Sequence, residues 1–479
     1  MSKLLSAIED ETNVAFTENG ALSNATTKSN VLNFFALGGA MRAREDSEIE
    51  SMFSLALAED ELLALKTLFY LRDIRGGQGE RRTFRVIINF LARVHPEVLR
   101  QNLDHIVEYG RWDDMLTLLD TPLEQEVLER FATQLGADLK SKTPSLLAKW
   151  LPSVNASSAA TKRYAHKVMN HIEWTSKTYR KNLSHLRSLL DVVEKKTCAN
   201  QWSEINYEHV PSRAGLMYSK AFSKHDATRY VKYLEDVKKG DKKINASTLY
   251  PYDIVEKCLE GNAPDNVDVL WNALPDYCAD NPSTNGIVVA DVSGSMHGRP
   301  MAVSVSLAMY FAERNEGLFK DSFITFSESP SIQKVQGHDI QAKVRNLEQT
   351  AWGFNTDLQA VFNLVLNTAV KNKMAKAEMP NVIYIISDMQ FDQACSNNEK
   401  SNFAVVKDKY EGAGYKMPKL VFWNVNATAN EVPVTKDEIN TVLVSGCSPV
   451  IFKTVMSGTS PYKVMLSTLN QERYSVVTV

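Results

Sequence analysis

The feature that most constrains this chain is a change of hydrophobic period near residue 280. Before it, apolar residues recur at three- and four-residue spacing. After it, short unbroken apolar runs alternate with amphipathic segments. A side chain returns to the same face every ~3.6 residues in a helix and every ~2 in a strand, and strands covered on both faces are apolar throughout. Such a switch predicts a multidomain chain, a helical part followed by an α/β part. The length of 479 residues suits that division, at about 150 residues per domain.

From Asn33 to about Asp276 the pattern is helical. Leu55, Leu62, Leu63, Leu65, Leu68 and Phe69 fit one stripe, and Phe84, Val86, Ile87, Ile88, Phe90 and Leu91 fit another. Further helical patterns cover 97–109, 111–119, 122–139, 158–171, 177–194, 214–221 and 225–238. The expectation is an all-α helical-repeat domain over 31–280, a solenoid or a ring made from one, although no repeat of fixed period is visible. Residues 1–30 are rich in Asn, Thr and Ser and predict an extended or loosely packed arm.

Pro275–Asn285 is a polar, turn-rich boundary. Beyond it, Gly286–Asp291, Ser322–Phe326, Val382–Asp388 and Leu420–Asn424 are strand-like. Ala302–Arg314, Leu358–Lys371, 434–444 and 461–470 are helix-like. Strands alternating with helices predict a doubly wound, Rossmann-like α/β domain with a mostly parallel sheet over 281–479.

Three loops of that domain carry oxygen ligands. Asp291-Val292-Ser293-Gly294-Ser295 follows the first strand, Gly353-Phe354-Asn355-Thr356-Asp357 opens a helix, and Ile386-Ser387-Asp388 ends a central strand. In an open parallel sheet the carboxyl ends of the strands form the ligand crevice, so Asp291, Ser293, Ser295, Thr356 and Asp388 can reach one point. Two carboxylates and three hydroxyls suit a hard divalent cation, Mg²⁺ or else Mn²⁺ or Ca²⁺. No G-x-S-x-G elbow surrounds Ser293 or Ser295 and no convincing base is present, so an enzyme is not expected. His297 and Arg299, which follow the loop, are given no role. This constellation resembles the von Willebrand factor A domain and its metal-ion-dependent adhesion site, a likeness covering about 282–479. The resemblance implies that Asp291, Ser293 and Ser295 are first-loop ligands, that Thr356 is the second-loop ligand, and that Asp388 acts directly or through water. The family often has GGT where this chain has Gly353 followed by Phe354-Asn355-Thr356.

The net charge of −3 hides an asymmetry: Lys and Arg against Asp and Glu number 15 to 23 over residues 1–140 but 20 to 9 over 141–250, a balance of −8 and then +11. The candidate RNA contacts in the basic stretch are Lys149, Lys162, Arg163, Lys167, Arg180, Lys181 and Arg187, chosen by charge. Lys177, Arg213, Lys220 and Lys232 add to it, and Tyr164, Trp174, Tyr179, Tyr218, Phe222 and Tyr230 are interleaved. Cations follow a phosphate backbone and flat rings stack on unpaired bases. Two glycine-containing stretches, 72–81 (RDIRGGQGER) and 108–114 (EYGRWDD), have the composition of inter-helix corners. The first lacks a preceding strand and a following GK[ST], so Gly76, Gly77 and Gly79 predict a tight turn rather than a phosphate loop, with Arg72, Arg75, Arg81 and Arg82 near enough to touch phosphate.

A long helical part followed directly by an A-type domain resembles the TROVE proteins of the Ro autoantigen type. The stretches 72–81, 108–114, 148–153 and 210–226 resemble a divergent TROVE-related branch found in plants, fungi, bacteria and phages. The resemblance implies a helical ring whose basic inner channel takes single-stranded RNA ends, whose outer surface takes structured RNA, and which the A domain helps to close. The expected function is therefore RNA binding with a divalent-metal adhesion site. The alternative is a protein-interaction or structural component, a phage virion or assembly part, whose metal clasps an acidic residue of a partner. No run approaches the ~20 apolar residues of a membrane helix. The acidic start predicts no secretory signal. Five scattered cysteines predict reduced thiols in a cytoplasm, or in a virion for a phage-encoded chain.

Overall fold

The computed structural model describes residues 3–279, 285–326, 330–348, 357–392, 402–456 and 458–479. It opens with a helix at Lys3–Thr12 and an antiparallel hairpin of β1 (Val14–Phe16) and β2 (Leu22–Asn24). This corrects the expected loose arm, because its polar side chains are used. Thr17 Oγ1 donates to the Phe391 carbonyl at 2.7 Å, Asn19 Nδ2 to the Gln390 carbonyl at 2.7 Å and Ser23 Oγ to the Val432 carbonyl at 2.8 Å. Asn, Thr and Ser are the side chains that satisfy loop carbonyls far away in sequence, and polarity alone did not separate that use from solvation.

Helices then follow one another from Asn30–Leu37 to Val267–Asn272. The first is capped by Ser29, whose side chain accepts from the Leu32 backbone N–H, and it is buried from Val31 to Leu37. The segment expected as a helix at 111–119 is a 3₁₀ stretch, Trp112–Leu118. None of the helices among the described residues is long and apolar enough to cross a membrane, and the four described cysteines are free thiols.

The two glycine-containing corners are one interlocked structure. Arg72, at the end of the helix Glu61–Arg72, is 2% exposed and donates through Nε to Asp114 Oδ2 at 2.8 Å. Arg85 Nε reaches the other Asp114 oxygen at 2.6 Å, and the Arg111 backbone N–H donates to Asp114 Oδ2 at 3.0 Å. Arg75 Nη1 donates to the Glu108 carbonyl at 2.8 Å. Gly77 is forced by space, since a Cβ there would lie 2.1 Å from the Tyr70 carbonyl oxygen; Gly79, at φ +63°, would put a Cβ 2.0 Å from Tyr250 Oη. The tight turn expected from the glycines is what they form, and Arg72 is a structural cation within it.

The C-terminal unit is a six-stranded sheet of order β5-β4-β3-β6-β7-β8, with β3 Gly286–Ala290, β4 Ser322–Thr325, β5 Ser331–Lys334, β6 Val382–Ser387, β7 Lys419–Asn424 and β8 Thr441–Ser445. All pairings are parallel except β4 with the edge strand β5. β8 corrects the helix expected over 434–444: Thr441, Val442 and Val444 are β-branched and all five residues of the strand are buried. β5 was not anticipated, as its one apolar residue, Ile332, is exposed.

The two parts share one continuous core. The helix Asn30–Leu37 lies against β8, where Ser445 Oγ donates to the Phe35 carbonyl at 3.2 Å and accepts from the Gly39 backbone N–H at 3.0 Å. The last residues return to the helical corner: Tyr474 Oη donates to Asp73 Oδ2 at 3.0 Å, Arg473 pairs with the same carboxylate, and Asn102 Nδ2 donates to the Thr478 carbonyl at 2.7 Å.

Candidate metal and nucleic-acid sites

β3 and β6 are central, adjacent and parallel, with Ala290 opposite Ile386. Both chains therefore leave the sheet at the same edge, and the Asp291 backbone N–H still donates to the Ile386 carbonyl at 2.9 Å. Asp291 is fully buried. Its Oδ1 accepts from the Ser293 backbone N–H at 2.9 Å and its Oδ2 from Ser387 Oγ at 2.5 Å. The Ser293 and Ser295 hydroxyls lie 3.2 Å apart. Asp388 is buried too; its Oδ1 accepts from the Gln390 backbone N–H at 3.2 Å, while its Oδ2 is enclosed and, among the described residues, has no hydrogen-bond partner.

Burial, and then the neighbouring Asp388 carboxylate, push the Asp291 carboxyl up to about 6 from an ordinary 3.8. Burial raises the Asp388 carboxyl as well, with the Ser295 hydroxyl opposing it. Two buried carboxylates close together, one with an unused oxygen, beside two serine hydroxyls, form a donor set that fits a hard divalent cation. Among the described residues no group of three or more His, Cys, Asp or Glu is placed to hold a metal ion, so the fit rests on these two carboxylates and the hydroxyls. Thr356 lies outside the described residues. The next residue, Asp357, caps the helix Leu358–Asn372 by accepting from the Ala360 backbone N–H at 2.9 Å. Ser387, which orients Asp291, was missed as a participant although its place in the Ile-Ser-Asp string was visible.

The basic stretch divides sharply. Arg187 is spent on the protein itself: its guanidinium donates to the carbonyls of Ala148 at 2.8 Å and Leu151 at 2.9 Å, and burial holds its pKa below the ordinary value. Arg163 and Lys167 both pair with Asp120, at 2.5 and 2.6 Å, and Lys149 lies 3.6 Å from Glu194. Lys162, Lys177, Arg180 and Lys181 are exposed and, among the described residues, have no carboxylate partner. Of the interleaved aromatics, Tyr179, Phe222 and Tyr230 are buried and Tyr164, Trp174 and Tyr218 half-buried. Tyr179 Oη donates to the Pro152 carbonyl at 2.9 Å, so that ring is a core element and not a stacking platform.

Two family models match the chain: a domain of unknown function (DUF2828) over residues 17–143 and 123–274, and a domain of unknown function (DUF7788) over 285–473. "Uncharacterized protein L728" of Acanthamoeba polyphaga mimivirus is 31% identical over 487 residues, covering 93% of this chain and 85% of that protein. Among solved structures, the Ro (RSR) protein of Deinococcus radiodurans superposes with a TM-score of 0.47 at 14% identity, over 94% of this chain and 100% of that one.

Proposed function

The chain belongs to the DUF2828 family, with a DUF7788 unit on its C-terminal side, and for such a chain we propose an RNA-binding role in which basic helices hold the RNA backbone and the edge of the sheet at β3 holds a divalent cation. The observation that carries the RNA reading is one row of unpaired cations. Lys177, Arg180 and Lys181 lie three and four residues apart on the helix Ser176–Leu189, with Lys162 on the helix Ala159–His171 before it. They sit in the stretch whose balance is +11, and unpaired cations are what a phosphate backbone neutralises.

The strand order and the oxygen set support a von Willebrand A reading of the C-terminal unit, and with it the TROVE-type layout. The residues that would hold the cation are Asp291, Ser293, Ser295, Thr356 and Asp388. When bound, Mg²⁺, or Mn²⁺ or Ca²⁺ in its place, would neutralise the two carboxylates and offer an open position to an oxygen ligand. Gly294 and Ser295 are exposed at the mouth of the site. That exposure favours a second reading, in which the open position takes an acidic side chain of a protein partner. The proposed role is binding and not catalysis: the Ser293 hydroxyl lies beside that of Ser295, and among the described residues no histidine is hydrogen-bonded to it.

The test is fluorescence anisotropy with a labelled single-stranded RNA between about 50 and 200 mM salt. Wild type is expected to bind with affinity falling steeply as salt rises. The triple variant Lys162→Glu/Lys177→Glu/Lys181→Glu should bind at least about tenfold more weakly and lose about two units of the log–log salt slope, at ~0.7 per contact on single strands, with an unchanged melting midpoint. Equal affinity of the two proteins, or no binding by wild type at low salt, would sink the RNA reading. Loss of a captured protein partner in EDTA, with no RNA bound, would favour the second reading instead.

A further inference from the structure

A cavity of about 500 Å³ opens where the helical part meets the C-terminal unit. Its wall holds seven arginines, Arg42, Arg72, Arg81, Arg82, Arg111, Arg213 and Arg299, against one carboxylate, Glu80. They come from five separate segments of chain; Arg72, Arg81 and Arg82 belong to the glycine-containing corner, and the other four join them only in the fold. Arg299, which had no role in the sequence, belongs to this wall.

The hydrogen-bonding capacity of the wall is far from used. Arg72 is committed to Asp114, as described. Arg82, Arg213 and Arg299 each reach one carboxylate outside the wall: Asp46 at 2.6 Å, Asp253 at 3.1 Å and Glu256 at 3.4 Å. A guanidinium has five N–H donors, so each of these keeps several. Arg42 Nη2 donates to Glu80 at 3.2 Å and to the Cys447 sulfur at 3.0 Å, while its Nε is buried and, among the described residues, has no hydrogen-bond partner. Arg111 Nη2 pairs with Asp113 at 2.8 Å, while its Nε is buried and, among the described residues, has no hydrogen-bond partner. The Arg81 side chain is exposed and, among the described residues, has no ion-pair partner. Burial lowers the Arg111 pKa, and the fields of Arg81 and Arg72 push the same way, against Asp113 and Asp114. Cations gathered this way repel one another, and an anion seated among them relieves the repulsion.

We propose that this cavity binds a polyphosphate group, carried either by a free nucleoside di- or triphosphate or by the phosphorylated 5′ end of an RNA. Planar guanidinium forks match phosphate oxygens two at a time, and so many of them round one space exceed what a single carboxylate ligand can occupy. The volume is that of a site for a nucleotide-sized ligand. Tyr252 forms part of the wall, with the Arg299 guanidinium carbon 5.6 Å from its ring centre. The proposal does not rest on the basic helices or on the cation site, and it can be tested apart from both.

The experiment uses the full chain in EDTA at low salt, which removes any divalent cation at the β3 edge. The probes are pyrophosphate, ATP, a 5′-triphosphorylated RNA oligonucleotide and its 5′-hydroxyl counterpart, read by calorimetry and by the melting midpoint. ATP and pyrophosphate are expected to bind and raise the midpoint if the source is a free nucleotide. If it is an RNA end, the triphosphorylated RNA should bind at least about tenfold tighter than the hydroxyl form. In either case Arg81→Ala/Arg299→Ala should lose about tenfold or more, while Lys371→Ala, on an exposed position outside both the cavity and the basic helices, should not. Should the double variant melt early, Arg81→Glu alone replaces it, since that side chain is exposed and has no ion pair to break. The proposal is overturned if neither ATP nor pyrophosphate binds and the triphosphorylated RNA binds no tighter than its 5′-hydroxyl counterpart, or if the folded variants bind the phosphate probes as wild type does.

Discussion

Asp114→Ala is expected to lower the stability of the chain by about 3–5 kcal/mol, the cost of breaking a buried ion pair from one side. Asp114 is fully buried and takes Arg72 and Arg85 on its two oxygens. Without it Arg72, at 2% exposure, is a nearly buried guanidinium that has lost its counter-charge. Against a total of ~5–15 kcal/mol for a folded protein, that loss empties much of the native population, so low soluble yield is part of the expectation. The comparison is Asp46→Ala, which removes the partner of Arg82 in a pair where Asp46 is 66% exposed and Arg82 42% exposed; an exposed pair is worth ~0–1 kcal/mol. Urea midpoints of the two variants provide the measurement. If Asp114→Ala unfolds within about 1 kcal/mol of Asp46→Ala, the corner is not the fastening described.

The second large effect concerns Asp291. Saturating Mg²⁺ is expected to raise the melting midpoint of the wild type by mass action, an effect of ~2.7 kcal/mol at one hundred times the dissociation constant. Asp291→Asn should abolish that response and yet be the more stable protein in EDTA. The sign follows from the raised carboxyl. Its folded pKa of about 6 stands above the ordinary 3.8, so its contribution is fully present below about pH 4 and is lost as pH rises through about 6. At ~1.36 kcal/mol per unit, the neutral-pH cost of the charged form is about 2–3 kcal/mol, and the asparagine avoids it. In EDTA the wild type should therefore weaken between about pH 4 and 6 by an amount the variant does not show. A wild type indifferent to Mg²⁺, Mn²⁺ and Ca²⁺, or a variant that still responds to them, would remove the metal site.

The parts of the fold legible in the sequence were those written in local pattern. The period change near 280 and the apolar runs GIVVA, VIYIIS and LVFWN gave three central strands, and their order along the chain brought Asp291 and Asp388 to one sheet edge. What escaped depended on partners distant in sequence. The 434–444 segment was expected as a helix, and β8 becomes a strand because β7 on one side and the helix Asn30–Leu37 on the other bury it. Charge counting could not distinguish Lys181, which is free, from Arg187, which is bound to two carbonyls. Of the arginine cavity only the 72–82 part was legible, since Arg42 and Arg299 join it only once the two halves pack.

The amino-terminal hairpin carries a consequence for how the chain is made. Thr17 bonds to Phe391, 374 positions away, and Ser23 to Val432, 409 positions away. The Glu18 backbone N–H and Asn19 Nδ2 hold the side chain and the carbonyl of Gln390, two residues beyond Asp388. The hairpin thus leaves the ribosome long before its partners do, at the entropic cost and slow closure that such distant pairings bring. Until then the loop after β6 lacks its brace, so cation affinity should mature late in biosynthesis, and a bulky fusion ahead of Val14 should disturb a carboxylate encoded more than a thousand nucleotides downstream.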